Sequence, residues 1–294
     1  MKNRPRPLLV ALLLTGLFAS ACTDRAPGSA KSNDPSGGPL KPMPASSARQ
    51  ALEQLDRPAT GNSGEVKFLT QLRTGSPGFE SYAAFVKEQK IFLDLADMVN
   101  DLVPLKKDLL VLFEPCGEPT AFYSPDKDNI TISGELIDYL DLRYAGLETE
   151  RTESIRGAIY FIFLHELGHA LIQRLDFPFT GREEDVADQF AVILLLQQGE
   201  DGERAVLSGA QFFYDLAQDR AGQPLQFWDE HSLEMQRFYN VACWIYGANP
   251  FRYAGLVSSQ ILPAERAARA GDEFQKMRRN WKRLLDPLLK HPLN

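Results

Sequence analysis

The sequence predicts an α+β fold in which helices dominate. Two observations predict it. Strand-like segments cluster in one short stretch, and the long segments after them repeat their apolar residues at three- and four-residue steps. Phe79, Tyr82, Phe85, Val86, Phe92, Leu95, Val99 and Leu102 open the folded part at such steps, which predicts an amphipathic helix over 79–102. DLLVLFEPC (Asp108 to Cys116) is a short apolar run closed by Pro and Cys, suited to a buried strand. TAFYSP and NITIS follow, separated by Asp126-Lys127-Asp128, and read as a β-hairpin whose turn Pro125 opens. Periodicity then predicts helices over 134–144, 152–175, 182–198, 202–219, 229–247 and 263–289. The order is helix, small antiparallel sheet, then helices, in one domain over 64–294.

Composition narrows the function classes. The 294 residues carry a formal charge of −7. Loss of residues 1–21 removes Lys2, Arg4 and Arg6 and makes the balance −10. Affinity for a phosphate backbone comes from clustered Lys and Arg, so nucleic acid is not an expected partner. The long helix over 263–289 is basic, with Arg266, Arg269, Lys276 and Arg278 among its charges, and reads first as a solvated face. A monomer is expected.

The N-terminus reads as an export signal. A basic MKNRPRP precedes 14 apolar or small residues, Leu8 to Ala21, and then Cys22. A spanning helix needs roughly 20 apolar residues, so this run is short and fits a signal sequence. Ala19-Ser20-Ala21-Cys22 resembles the bacterial lipobox, which implies cleavage before Cys22, lipidation of Cys22 and a chain held to a bacterial envelope membrane. Residues 22–63 are rich in Pro, Gly, Ser and Ala. Such a stretch cannot bury enough apolar surface to offset its ordering entropy and reads as a tether. No second hydrophobic run of spanning length is expected after it.

The chemistry concentrates in His165-Glu166-Leu167-Gly168-His169, inside the helical segment AIYFIFLHELGHALIQRL. Two His four apart on a helix differ by about 40° around its axis, so both imidazoles reach one metal ion from one face. Glu166, one step from the first His, stands beside that ion and can take a proton from a water. The chain has only four His, and two of them are spent here. Zinc in a hydrolytic site needs a third protein ligand and one open position. After Pro178 and Gly181 comes Arg182-Glu183-Glu184-Asp185-Val186-Ala187-Asp188, whose Glu184 and Asp188 share a helix face. Glu184 is the expected third ligand, with Glu183 and Asp185 as alternatives. Asp188 is the expected acceptor from the outer N–H of a ligand His. The same acidic cluster also suits the positive end of a helix dipole.

These segments carry a resemblance. HELGH followed by E-x-x-A-D resembles the gluzincin metallopeptidases. HELGHALI, GREEDVADQFA and DEHSLEMQRFYNVACWIYG are together similar to a bacterial putative-metallopeptidase family over roughly residues 65–260. The resemblance implies a zincin-like fold with an edge strand over the cleft, two zinc-binding helices and Zn²⁺ held by two His and one Glu.

Three further readings remain. His231, opening the helix DEHSLEMQRFYNVACWIYG, and Tyr239 are candidates to stabilise an oxyanion. Cys116 and Cys243, left over in an exported chain once Cys22 is lipidated, are expected to form a disulfide. His291 is expected at the surface. The expected activity is hydrolysis of peptides or proteins by a zinc-activated water with Glu166 as general base. The rival is a zinc-binding envelope lipoprotein without catalysis, acting as a scaffold or partner-binding module. A hydrolase acting on a non-peptide amide is a weaker third.

Overall fold

In the computed structural model of the chain, the described residues are 63–70 and 78–293. The expected signal peptide, lipidated Cys22 and nearly all of the tether lie outside them. Val66–Thr70 forms strand β1, and helices α1 (Phe79–Glu88) and α2 (Ile91–Leu102) follow. Strands β2 (Leu109–Glu114), β3 (Ala121–Ser124) and β4 (Asn129–Ser133) come next, then α3 (Gly134–Arg143) and a 3₁₀ turn over Ala145–Glu150. The remaining helices are α4 (Arg151–Leu175), α5 (Glu183–Leu195), α6 (Gly199–Asp219), α7 (Glu234–Ala248), α8 (Ala254–Ser258), α9 (Ala264–Ala267) and α10 (Ala270–Leu285).

The architecture is mostly helical with one small sheet, as expected for α+β, but the sheet is mixed rather than antiparallel. Its order is β1-β2-β4-β3, with β1–β2 and β2–β4 parallel and only β3–β4 antiparallel. The predicted hairpin is there, yet β4 is its inner arm. β2 alternates buried and half-buried residues, whereas all five residues of β4 are buried. β3 is thereby left at the edge. The parallel partner β1 escapes a sequence reading because VKFLT is five residues beside a Gly- and Ser-rich stretch.

Three predicted helices are shorter or broken. The helix over 79–102 is two, because Lys90 takes a left-handed backbone (φ 53) and ends the first turn sequence. The basic helix divides into α9 and α10. The helix expected from 229 starts at Glu234, where the Gln236 side chain accepts the backbone N–H of Leu233 and so fixes the first turn. His231 therefore precedes the helix rather than opening it.

α4 packs against β3 and β4 on one side and α5 and α6 on the other. By length and composition it could cross a membrane, contrary to the sequence expectation, but 78% of its apolar window is buried in the fold, which makes it the core helix. Close helix contact depends on glycine. A Cβ on Gly209 of α6 would come within 2.3 Å of the Phe161 ring on α4. A Cβ on Gly168 would stand 3.2 Å from the Cα of Ala187, so this position, inside the HELGH segment, lets α5 lie directly on α4.

The expected disulfide is absent. Cys116 is exposed just beyond β2, while Cys243 is fully buried on α7 with its thiol directed at Glu273.

Candidate metal centre

α4 carries His165, Glu166 and His169 into a cleft beneath β3. α5, brought close at Gly168, adds Glu184 and Asp188 from successive turns. The Nε2 atoms of His165 and His169 are 3.2 Å apart. The Glu184 carboxylate lies 3.1 Å from His165 Nε2 through Oε2 and 3.4 Å from His169 Nε2 through Oε1. These three side chains form a group able to hold a metal ion.

The surroundings decide which ring atoms face inward. His165 Nδ1 is 2.9 Å from Asp188, and His169 Nδ1 is 2.7 Å from Glu183. Each carboxylate can accept a hydrogen bond from Nδ1–H, and in that tautomer the neutral ring's lone pair lies on Nε2, directed at the common centre. Two such lone pairs 3.2 Å apart repel unless a proton or a metal ion lies between them. A tetrahedral zinc with bonds near 2.0–2.1 Å spaces its ligand atoms about 3.3 Å apart, and the observed 3.1, 3.2 and 3.4 Å match that spacing. Glu184 Oε2 is also buried, faced at 3.1 Å by the Nε2 atoms of His165 and His231 without a well-aligned hydrogen bond, which fits an oxygen turned towards a cation. The residues present therefore fit the zinc expected from the sequence.

The three acidic alternatives separate cleanly. Glu184 faces both Nε2 atoms. Glu183 supports His169 from outside, and Asp185 accepts the Ser232 hydroxyl at 2.9 Å, towards the loop that carries His231. Asp188 Oδ1 stands 2.9 Å from His165 Nδ1.

Glu166 sits beside the centre with Oε2 accepting the backbone N–H of Tyr123 on β3 at 2.8 Å. The height of β3 over the helix is set by a clamp. Arg174, on the last turn of α4, donates to Asp128 in the β3–β4 turn and to the carbonyls of Lys107 and Asp108 ahead of β2. Tyr123 adds its hydroxyl to Asp128 at 2.9 Å.

His231 comes to the site from its loop. Its Nε2 is 3.1 Å from Glu184 Oε2, and its Nδ1 is 3.0 Å from Asp229. Tyr239, the other oxyanion candidate, lies on α7 against the Phe238 ring and does not line the cleft. His291 is exposed, as expected.

Sequence reading missed Arg237. It is nearly buried, donates to both Asp188 oxygens at 2.8 and 2.6 Å, and lies over the Phe213 ring with its guanidinium carbon 4.0 Å from the ring centroid. An Arg one step before the buried Phe238 in a helix was a signal, because a buried cation needs a carboxylate partner.

Electrostatics follow from this packing. Burial drives the Glu166 pKa up, with the two His and the Tyr123 N–H opposing only in part. Burial works against protonation of His169, but Glu184 and Glu183 outweigh it and raise the pKa to about 9. Burial likewise opposes ionisation of Glu184, and His165, His169 and His231 overcome it, holding the carboxyl well below its ordinary range.

The chain belongs to a family described as Putative metallopeptidase (DUF4344), whose model matches residues 74–285. The matched span contains every residue of the centre. Neither the curated proteins nor the solved structures give a match to the chain.

Proposed function

From that membership, we propose that the protein is a zinc-dependent peptidase in which His165, His169 and Glu184 hold the ion. The observation that carries this reading is the convergence of the His165 and His169 Nε2 atoms and the buried Glu184 carboxylate beside Glu166. When bound, zinc supplies Lewis acidity, polarising the scissile carbonyl and lowering the pKa of water to about 7. Glu166 takes the proton of that water on Oε1, since Oε2 is held by Tyr123, and passes it to the leaving amine. Its buried position favours the proton-carrying form it needs between the two transfers. His231, in the doubly protonated form that Glu184 and Asp229 favour, donates through Nδ1 to Asp229 and would turn its Nε2–H from Glu184 to the oxyanion. Asp188 and Glu183 fix the ligand rings, and Arg237 keeps the Asp188 charge compensated.

Retention of Glu166 favours catalysis over the scaffold reading, because holding the ion does not require it. The export leader and Cys22 add the proposal of a lipid-tethered chain at a bacterial envelope. Loss of acyl labelling in Cys22→Ser is its expected signature.

The test compares wild type, Glu166→Gln and Glu184→Ala for metal content and peptide hydrolysis. About one zinc per chain is expected in wild type and Glu166→Gln, and far less in Glu184→Ala. Hydrolysis is expected in wild type alone. Metal-free wild type after zinc supply would sink the mechanism, and zinc-loaded wild type inert on all peptides would favour the scaffold.

A further inference from the structure

On a chain whose formal charge is −7, the fold turns one basic corner outwards. Lys276, Arg279 and Arg283 follow one another at three- and four-residue steps along α10, and all three are exposed. Such steps put them on one helix face. The acids of that helix are taken by other cations, Glu273 by Arg266 and Asp286 by Lys282. Among the described residues, none of the three exposed cations has a carboxylate partner. The basic stripe continues past the helix end. Lys290 donates its backbone N–H to the Leu102 carbonyl at 2.9 Å and its Nζ to the Asn100 carbonyl at 2.6 Å. Those two bonds hold the end of α10 against the end of α2, and Leu288 stays exposed between Arg283 and Lys290.

The chain that precedes the fold arrives at the same corner. The Asn100 side chain accepts the Val66 N–H at 2.7 Å, while its own carbonyl holds Lys290. Gly64 lies so near Leu105 that a Cβ there would fall 2.0 Å from the Leu105 carbonyl oxygen. Lys106 and Lys107 come next in the chain and are exposed. The entry into β1 thus stands beside Lys106 and Lys107 and, across Asn100, Lys290. Over residues 63–66, 100–107 and 272–290 the exposed carboxylates are Glu65, Asp101 and Asp272, outnumbered by the exposed cations.

We propose that this corner is a docking surface for an anionic phospholipid membrane. The proposal goes beyond the peptidase reading, and it rests on the lipid-anchored reading of Cys22 only in taking a membrane as the partner. Cys22 and Ser63 are 41 positions apart in the sequence, so an anchor at Cys22 keeps Ser63 within roughly 140 Å of the bilayer at full extension. That distance does not choose which face of the fold meets the lipid. Charge does. Each Lys or Arg close to an anionic surface favours contact by roughly fivefold. At physiological salt the Debye length is about 8 Å, so the local cations act while the acidic remainder of the molecule is screened. Leu288 adds an apolar side chain that can enter the headgroup layer.

The experiment adds the purified full chain to vesicles of phosphatidylcholine alone or with about 30% phosphatidylglycerol. Trace acetylation of lysines is read by mass spectrometry at 50 mM and 500 mM NaCl. Lys106, Lys107 and Lys276 are expected to label at least threefold more slowly on the anionic vesicles at 50 mM NaCl, and equally on both at 500 mM. Lys90, exposed at the other end of α2, is expected to label alike throughout. Arg279→Glu combined with Arg283→Glu is expected to abolish the slowing and leave thermal unfolding unchanged, since both side chains lie in solvent. The basic leader is common to both chains, so the difference between them reports the helix face. Slowing that persists in that variant or at 500 mM NaCl overturns the proposal, as does equal labelling on the two vesicles at 50 mM. Slowing by poly-glutamate but not by vesicles overturns it in favour of an acidic protein partner. Salt-sensitive slowing in a chain without acyl label leaves this docking surface standing while the lipid anchor fails.

Discussion

Arg237 provides the sharpest test of how the centre is built. Its guanidinium reaches both oxygens of Asp188, and the two side chains are 11% and 2% exposed. Arg237→Met keeps the length and the apolar contact with Phe213 but leaves the Asp188 carboxylate buried with only His165 as partner. Removing one member of a buried ion pair costs about 3–5 kcal/mol. That is a large share of the roughly 5–15 kcal/mol that holds most domains together. The pH dependence has a definite sign. Burial alone would raise the Asp188 pKa, but Arg237 and His165 outweigh it and hold it below the ordinary carboxylate value. A group with a depressed folded pKa contributes stability above its unfolded pKa, and that contribution fades as pH falls through the folded one. The deficit of Arg237→Met should therefore be largest at neutral pH and shrink in acid, as Asp188, buried without Arg237, protonates in the folded variant before it does in wild type. The assay is urea unfolding of metal-free wild type and variant at pH 7.5 and pH 5. Adding Asp188→Asn to the variant removes the stranded charge and should recover more than half of the loss, a coupling that a double-mutant cycle isolates. A deficit below about 1 kcal/mol at pH 7.5, or no recovery in the double variant, would refute the claim that Arg237 compensates a buried charge.

The other expectations concern separate parts of the molecule. Asp128→Ala releases both Arg174 and the Tyr123 hydroxyl, so peptide turnover should fall about 10–100-fold while zinc content stays constant, because the edge strand loses its height over Glu166. Burial pushes Asp215 up to about 6, against the pull of Gln211 and Arg143. Its contribution is present below about pH 4 and lost as pH rises through 6, so Asp215→Asn should stabilise the protein at pH 8 by about 2 kcal/mol and have little effect at pH 4, read by thermal unfolding. A thiol reagent should label Cys116 in the native protein and reach Cys243 only after denaturant, as counted by intact mass; protection of both would restore the disulfide.

Much of the site was legible because its spacing is local. His165, Glu166 and His169 lie on one helix, and helix geometry alone brings them to one face. Glu184 and Asp188 repeat that spacing on the next helix, so only the closeness of the two helices had to be supplied. The Gly168 contact with Ala187 supplies it. His231 was legible as a candidate but not in its setting, because its helix begins three residues later.

What the sequence determined by itself is whatever depends on spacing within one element: the His165–His169 pair on one helix face, the acidic turn, the hairpin and the dominance of helices. Tertiary structure decided everything that depends on pairing between distant segments. β1 joined β2 in parallel, and β4 went inside β3, because hydrogen-bond partners of strands far apart in the chain carry no periodic signature. Arg237 found Asp188 49 residues away, a match set by burial and charge rather than by spacing. The Cys116–Cys243 expectation failed for the same reason. Counting residue types suggests a bond, but only the fold fixes whether two side chains point at each other.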